Sequence, residues 1–392
     1  MHPPRPLKCP DCFARVPSPS RGGEARCPHC RRAFRPVLAV PGFRWTQDGR
    51  RFSVLSARNP DVRPLKHVFV FENFLHPEVL RLRRRFRLDR LVAPFAREGE
   101  FARQRALRHW VSSAWTSGLP SVRAPARVHT LHAGEMFRHA STRGCQYFCT
   151  YKAYAMVEFA AALGWNARLV SAGGHMMSEL WSNERGKWVF FDSLFNLHVE
   201  KEGLPLSCLE IQREYRKNGG RDVEYRWGRR RTLLPADGHE FVHLLPAQFA
   251  WFVVWTNANF FDEPNEKGQA FSRLLFRDRH NRRLRWTDAS GEGDRYATLP
   301  STRETSDPAD IDFPLNVAEI LLAAAPGGVR LGLETRTPGL KRLLVRVDGG
   351  PWRVFDAGGT IPLKQGRTAI RARSENQAGV RGPESEVVIE ER

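Results

Sequence analysis

Two Cys-x-x-Cys pairs, Cys9-Pro-Asp-Cys12 and Cys27-Pro-His-Cys30, constrain this chain more than any other feature, and fourteen residues separate them. Each pair turns two thiolates toward one point, so the four can surround a single ion, and soft sulfur ligands suit Zn2+. The span between them holds Pro17-Ser-Pro-Ser-Arg-Gly-Gly23, too polar to build a core. About 30 residues without a core do not fold alone, so a metal must supply the folding free energy. A redox dithiol would sit in a βαβ pattern, which is absent here. The expected ligands of one structural Zn2+ are therefore Cys9, Cys12, Cys27 and Cys30.

The other 360 or so residues are ordinary globular sequence. At about 150 residues per domain, the 392-residue length predicts two to three domains. A 41% hydrophobic and 27% charged composition excludes disordered and fibrous classes. Seven Cys are too few for a disulfide scaffold. The longest apolar run, Phe249 to Trp255, has seven residues, against about 20 for a membrane span. Met1 to Pro10 has no apolar run of the kind a secretory signal needs. With four clustered thiolates, that favours the cytoplasm. The net charge of +20 invites a nucleic-acid reading. Yet nine of the 62 basic residues are Lys, and the Arg are scattered from Arg5 to Arg392. The densest runs, Arg83-Arg84-Arg85 and Arg229-Arg230-Arg231, lack interleaved aromatics. No dedicated nucleic-acid site is expected.

Periodicity divides the rest. Pro41 to Pro64 is polar and reads as a linker. Phe101 to Ser113 fits an amphipathic helix. Residues 149–163 form a stronger one, with Ala153, Met156, Val157, Ala160 and Leu163 on one stripe and Gly164 as its stop. Met176 to Trp181 and Trp188 to Phe191 read as two strands joined at Asn183-Glu-Arg-Gly186. From about Pro314 onward, short β runs alternate with breaks such as Asp348-Gly-Gly-Pro351, as in a small antiparallel sandwich.

Three residues carry the chemistry. Cys149 falls in the first turn of its helix, where the dipole and unpaired amides favour thiolate. His175 heads one strand of the hairpin and Asp192 ends the other, so pairing sets them opposite or diagonal to each other. A carboxylate beside an imidazole fixes its tautomer and supports its charged form, and that imidazole activates a thiol. Cys145, just before the helix, is a decoy, and Cys208 reads as a packing thiol.

Gly144 to Val170, with Cys149-Thr-Tyr-Lys-Ala153 followed by Ala160-Ala-Ala-Leu-Gly-Trp-Asn-Ala-Arg-Leu-Val170, resembles the nucleophile helix and following strand of the transglutaminase-like superfamily of papain-fold thiol enzymes. His175-Met-Met-Ser-Glu179 and Trp188-Val-Phe-Phe-Asp192 are similar to that family's His and Asp strands, and Phe101 to Trp115 to its upstream helix. About 110 residues are covered. The resemblance implies acyl transfer at an amide of a protein or peptide substrate, through a thioester on Cys149. It identifies no oxyanion-stabilising residue; Gln146 and Trp115 are the candidates. Met177 stands where the family usually has an aromatic. The segment through Phe34 and Arg35 resembles the zinc ribbons of many bacterial proteins, and Ile361 to Gly379 the last strands of bacterial immunoglobulin-like or fibronectin-like modules.

His239-Glu-Phe-Val-His243 has the HExxH form of a zinc hydrolase. Gly238 before it and Pro246 after it leave only a short helix, so this is a lesser alternative. A catalytically silent adaptor with the same fold is the other. The expected architecture is α+β: a zinc ribbon (1–40), a linker (41–64), a papain/transglutaminase-like domain (65–240), an unassigned extension (241–312) and an immunoglobulin-like β-sandwich (313–392).

Overall fold

After the first cysteine pair the chain makes two short antiparallel strands, β1 (Ala25–Arg26) and β2 (Ala33–Val37). The computed structural model describes residues 7–17, 23–115, 132–172, 174–228, 251–261, 272–277 and 301–391. Residues 41–64 are not the linker expected from their polarity. They hold β3 (Arg44–Gln47) and β4 (Arg50–Arg58), paired across a turn in which Asp48 and Gly49 both adopt positive φ. Trp45, Phe52 and Val54 point into a core while Arg44, Thr46, Arg51 and Ser56 are exposed. That alternation on one half-buried face is what made the segment look polar.

The chain divides into two compact units, Leu65–Phe313 and the discontinuous pair Met1–Pro64 with Pro314–Arg392. The Leu65–Phe313 unit is mixed α+β. Among the described residues five α-helices come first: α1 (Pro77–Arg85), α2 (Leu88–Val92), α3 (Glu100–Ser113), α4 (Ala133–Arg143) and α5 (Cys149–Ala162). Helix α5 is buried nearly all round, and Gly164 at φ 80° turns the chain out of it. Strands β5 (Ala167–Ala172), β6 (His175–Ser182) and β7 (Lys187–Phe191) follow as a meander. Next come β8 (Leu197–Lys201), β9 (Leu204–Pro205), α6 (Cys208–Asn218) and β10 (Glu224–Trp227), the three strands forming a small sheet in the order β10-β8-β9. Ser207 and Glu210 close a reciprocal capping box at the start of α6.

The segment 241–312 is not an extension. Within it lie β11 (Trp251–Trp255), β12 (Arg273–Arg277) and β13 (Thr302–Thr305), which complete a six-stranded sheet in the order β13-β12-β11-β5-β6-β7. Strand β11 pairs with β5 through Val253↔Ser171 and Val254↔Val170. Every residue of β11 is buried, so its sequence is a continuous apolar run rather than an alternating one. The core of this unit draws Val170, Met177 and Phe190 together with Phe252, Val254 and Leu274.

The remaining strands are β14 (Val317–Ala325), β15 (Gly328–Arg336), β16 (Leu340–Val347), β17 (Arg353–Val354), β18 (Thr360–Pro362), β19 (Arg367–Asn376) and β20 (Ser385–Glu391). They make two sheets that share one core, but not by themselves. One sheet runs β1-β2-β14-β15-β18 and the other β17-β16-β19-β20-β4-β3. The boundaries expected at residues 64 and 313 coincide with the ends of the Leu65–Phe313 unit, but the one at residue 40 separates nothing, and 1–64 and 314–391 fold together rather than as a separate ribbon, linker and sandwich. Strand β2 pairs with β14 (Leu322↔Val37) and β4 with β20. Asn59 extends the join by exchanging two side-chain hydrogen bonds, each 2.8 Å, with the backbone of Ile320. Lys8 is buried and donates to Glu319 at 2.7 Å, Glu334 at 2.6 Å and the carbonyl of Val62 at 2.5 Å. A lone buried ammonium is prohibitive, whereas one held by two carboxylates and a carbonyl is tolerated. Among the described residues no helix is long and apolar enough to cross a membrane.

Candidate active site

Helix α5 begins at Cys149, directly after Phe148, whose extended backbone offers no side-chain cap. The first amides of the helix are therefore left without a local acceptor, and their dipoles favour negative charge on the half-buried thiol beside them. Strand β6 begins at His175. Its pairing with β7 sets Ser178 against Phe191, so Asp192 falls next to Met177 and diagonal to His175 on the same face. Their side chains meet: His175 Nε2 lies 2.6 Å from Asp192 Oδ2, and both residues are buried.

Asp192 is held from two further directions. Its Oδ1 accepts from the backbone N–H of Leu194 at 2.8 Å and of Phe195 at 2.9 Å, and its own backbone pairs with that of Leu197. The Phe195 ring sits 5.0 Å from the imidazole. With Nε2–H donated to the carboxylate, Nδ1 is the nitrogen left to face the thiol. Burial alone would pull His175 down, but the charge and hydrogen bond of Asp192, followed by those of Cys149, bring it up to about 10. Burial likewise pushes the Cys149 thiol up. The hydrogen bond and charge of His175, the Met176 N–H and the Thr150 hydroxyl more than offset this, and the thiol ends below its ordinary value. Both shifts run toward the charged forms, the imidazolium of His175 and the thiolate of Cys149.

No family model, no curated protein and no solved structure matches this chain. The site must therefore be read from its own geometry.

Cys145 is buried just before the helix, and Cys208 lies in the apolar core of the sheet, where burial raises its thiol well above the ordinary range. Gln146 is exposed. The Trp115 indole N–H is buried without a hydrogen-bond partner among the described residues, and its ring lies edge-on to Tyr147. The HExxH segment 239–243 lies outside the described residues.

Sequence reasoning did not single out the polar layer behind Asp192. Arg108 of α3 donates to Asn196 Oδ1 at 3.1 Å and sits 2.7 Å from His198 Nδ1, while His198 Nε2 meets Glu200 at 2.8 Å. The signal was available: His198 and Glu200 are two apart on one strand and so share a face. Lys152, one turn beyond Cys149, is buried and donates to the carbonyls of Ser112 and Trp115. Burial brings its amine down to about 8, against the pull of Asp192.

The four N-terminal cysteines form a second cluster, with all sulfurs within 4.8 Å of one another. Cys9 and Cys30 are 3.7 Å apart and Cys12 and Cys27 3.4 Å. Sulfurs set tetrahedrally about an ion at about 2.3 Å stand about 3.8 Å apart, so the donor set fits one thiolate-bound metal ion.

Proposed function

We propose that the chain is a thiol acyl-transfer enzyme of the transglutaminase-like type, acting on amides of a protein or peptide substrate, with Cys149, His175 and Asp192 as its triad. The observation that carries this reading is the 2.6 Å contact of His175 Nε2 with Asp192, which leaves Nδ1 for the thiol. The Cys149 thiolate adds to the amide carbonyl. As the C–N bond breaks, the His175 proton goes to the departing amine and a thioester remains on Cys149. Water or an acceptor amine then attacks, giving its proton back to His175 and releasing the thiolate. Asp192 holds the ring in one tautomer throughout. The oxyanion candidates are the exposed Gln146 amide and the buried Trp115 indole N–H, which has no hydrogen-bond partner among the described residues.

A papain-like core is supported by the order of parts: the nucleophile on a buried helix, then His and Asp on successive strands. The four thiolates are read as a structural Zn2+ site, in which the ion ties the N-terminal turns together. The three-strand and four-strand halves formed by β14–β20 support an immunoglobulin- or fibronectin-like reading of that region.

The test is activity profiling with Gln- and Asn-containing peptides, alongside site-resolved thiol labelling at neutral pH. Cys149 is expected to label selectively, and Cys149→Ala to abolish turnover while Cys145→Ala retains it. Labelling of Cys149 only after denaturation would favour the silent adaptor. One metal ion per chain fits the cysteine site alone and leaves no ion for a hydrolase at His239 and His243.

A further inference from the structure

In its reactive form the triad places two negative charges, on Cys149 and Asp192, around one positive charge on His175. A net negative charge enclosed in a low-dielectric interior is costly unless a cation faces it. Two buried cations lie within electrostatic reach of Asp192: Lys152 of α5 and Arg108 of α3. Lys152 is committed to the carbonyls of Ser112 and Trp115. Arg108 is committed to the loop that carries Asp192.

That loop is short and tightly drawn. Asp192 and Leu197 pair through both backbone hydrogen bonds, at 2.9 and 3.0 Å, so residues 193–196 form the turn between β7 and β8. Asn196 closes it at φ 56°, the left-handed region that Asn tolerates better than most residues. Arg108 reaches across from α3 and holds the Asn196 side chain with Nε and His198, the second residue of β8, with Nη1. A guanidinium only donates, so His198 Nδ1 accepts and Nε2–H is given to Glu200. Glu200 is held in turn by Arg226 of β10 at 2.9 Å. His198 is thus a neutral strut; burial first, then the charges of Arg108 and Arg105, bring it down to about 4. The charged and titratable groups around this layer are Arg105, Arg108 and His109 of α3, Cys149 and Lys152 of α5, His175 of β6, His198 and Glu200 of β8, and Arg226 of β10.

We propose that Arg108 is the positioning residue of Asp192: it clamps the Asn196 corner of the carboxylate's loop and supplies the cation facing the buried charge of the triad. This rests on the triad reading above. Arg suits the task because its rigid planar fork presents donors from separate nitrogens in fixed directions, one to Asn196 and one to His198, whereas all the donors of a Lys leave from one nitrogen.

The experiment is alkylation of Cys149 by iodoacetamide in the full chain, resolved by mass spectrometry from pH 5 to 10. Arg108→Met, Arg108→Lys, Asn196→Gly and His175→Ala are compared with the parent. Arg108→Met removes a facing cation, so the acid limb of the profile should move up by about one pH unit, a loss of about tenfold at pH 6. Arg108→Lys keeps the charge and should leave the limb in place, while the plateau rate falls severalfold because a single flexible ammonium does not reproduce the fixed positions of Nε and Nη1 beside Asn196 and His198. Asn196→Gly keeps the charge and tolerates the left-handed corner, and should behave like Arg108→Lys. A merely structural role would not separate limb from plateau in this way. A folded Arg108→Met whose profile superimposes on the parent overturns the proposal. If Arg108→Met does not fold, parent-like profiles for both Arg108→Lys and Asn196→Gly overturn it. A parent Cys149 that reacts like an ordinary thiol, and is unaffected by His175→Ala, overturns the triad reading and this proposal together.

Discussion

His175 is enclosed beside the Asp192 carboxylate, and the pH dependence of stability follows from that. Its folded value, raised to about 10 from an ordinary 6.5, means the proton stabilises the fold fully below pH 6.5 and progressively less as the pH climbs toward 10. Cys149 works the other way. Its folded value lies below the ordinary 9.0, so the thiolate contributes stability above pH 9 that is lost as the pH falls through the lowered value. Between these values the two slopes oppose each other. Cys149→Ala removes one of them and should expose the other: urea unfolding of that variant should show stability falling with rising pH from about 6.5 upward, more steeply than in the parent. Asp192→Asn, which withdraws the anion facing the ring, should flatten the fall. A Cys149→Ala chain with no such slope would count against an imidazolium at this position. On the kinetic side, His175→Ala should slow acyl transfer by about 100-fold or more, the usual worth of a positioned acid–base group. A loss below tenfold would mean that His175 does not handle the proton.

At the scale of elements, the close approach of the first cysteine turn to strand β15 is the feature most open to test. A Cβ on Gly332 would stand 2.1 Å from the carbonyl oxygen of Pro10, a backbone atom with no rotamer to yield. Gly332→Ala should therefore destabilise the fold by about 1–3 kcal/mol through overpacking, and weaken metal binding at the four cysteines, measured by competition with a chromophoric chelator. Gly359 serves as the control, since a Cβ there meets nothing closer than 3.7 Å and its φ is not positive. Equal denaturation midpoints for the two variants would contradict this packing. The strand β11 illustrates the complementary case. Phe252 and Val254 are fully buried in the sheet core, so their contribution is area removed from water, and Phe252→Ala should cost about 3–5 kcal/mol.

For the whole molecule, the consequence of the join between the cysteine site and the strands is that metal loss should not stay local. Cys9 and Cys27 pack in one apolar cluster with Ala323 of β14, and β2 lies alongside the same strand. Structural metal sites of this type are worth about 10 kcal/mol or more to the segments they organise. Stripping the ion with a chelator should lower the melting temperature of the Met1–Pro64 and Pro314–Arg392 unit and speed amide exchange across Leu322–Ala324. Unchanged exchange there after complete metal removal would show that the cysteine turns fold as a separate module, as their local sequence suggested.

Much of the site was legible in the chain itself. The spacing of four cysteines, the 3.6-residue stripe ahead of Gly164 and the two strands around Asn183–Gly186 are local patterns, set by ligand geometry, helix periodicity and turn chemistry within a few residues. They sufficed to put Cys149 at a helix start and to bring His175 and Asp192 onto one hairpin face. What needed the tertiary structure was everything that joins residues far apart in sequence. The strands at 44–58 belong to a sheet completed more than 300 residues later, β11 lies beside β5 across some 80 residues, and Arg108 meets Asn196 and His198 from a different helix. Backbone pairing and buried ionic contacts of that range are decided by which faces the whole chain can cover at once, and no window of neighbouring residues records that choice.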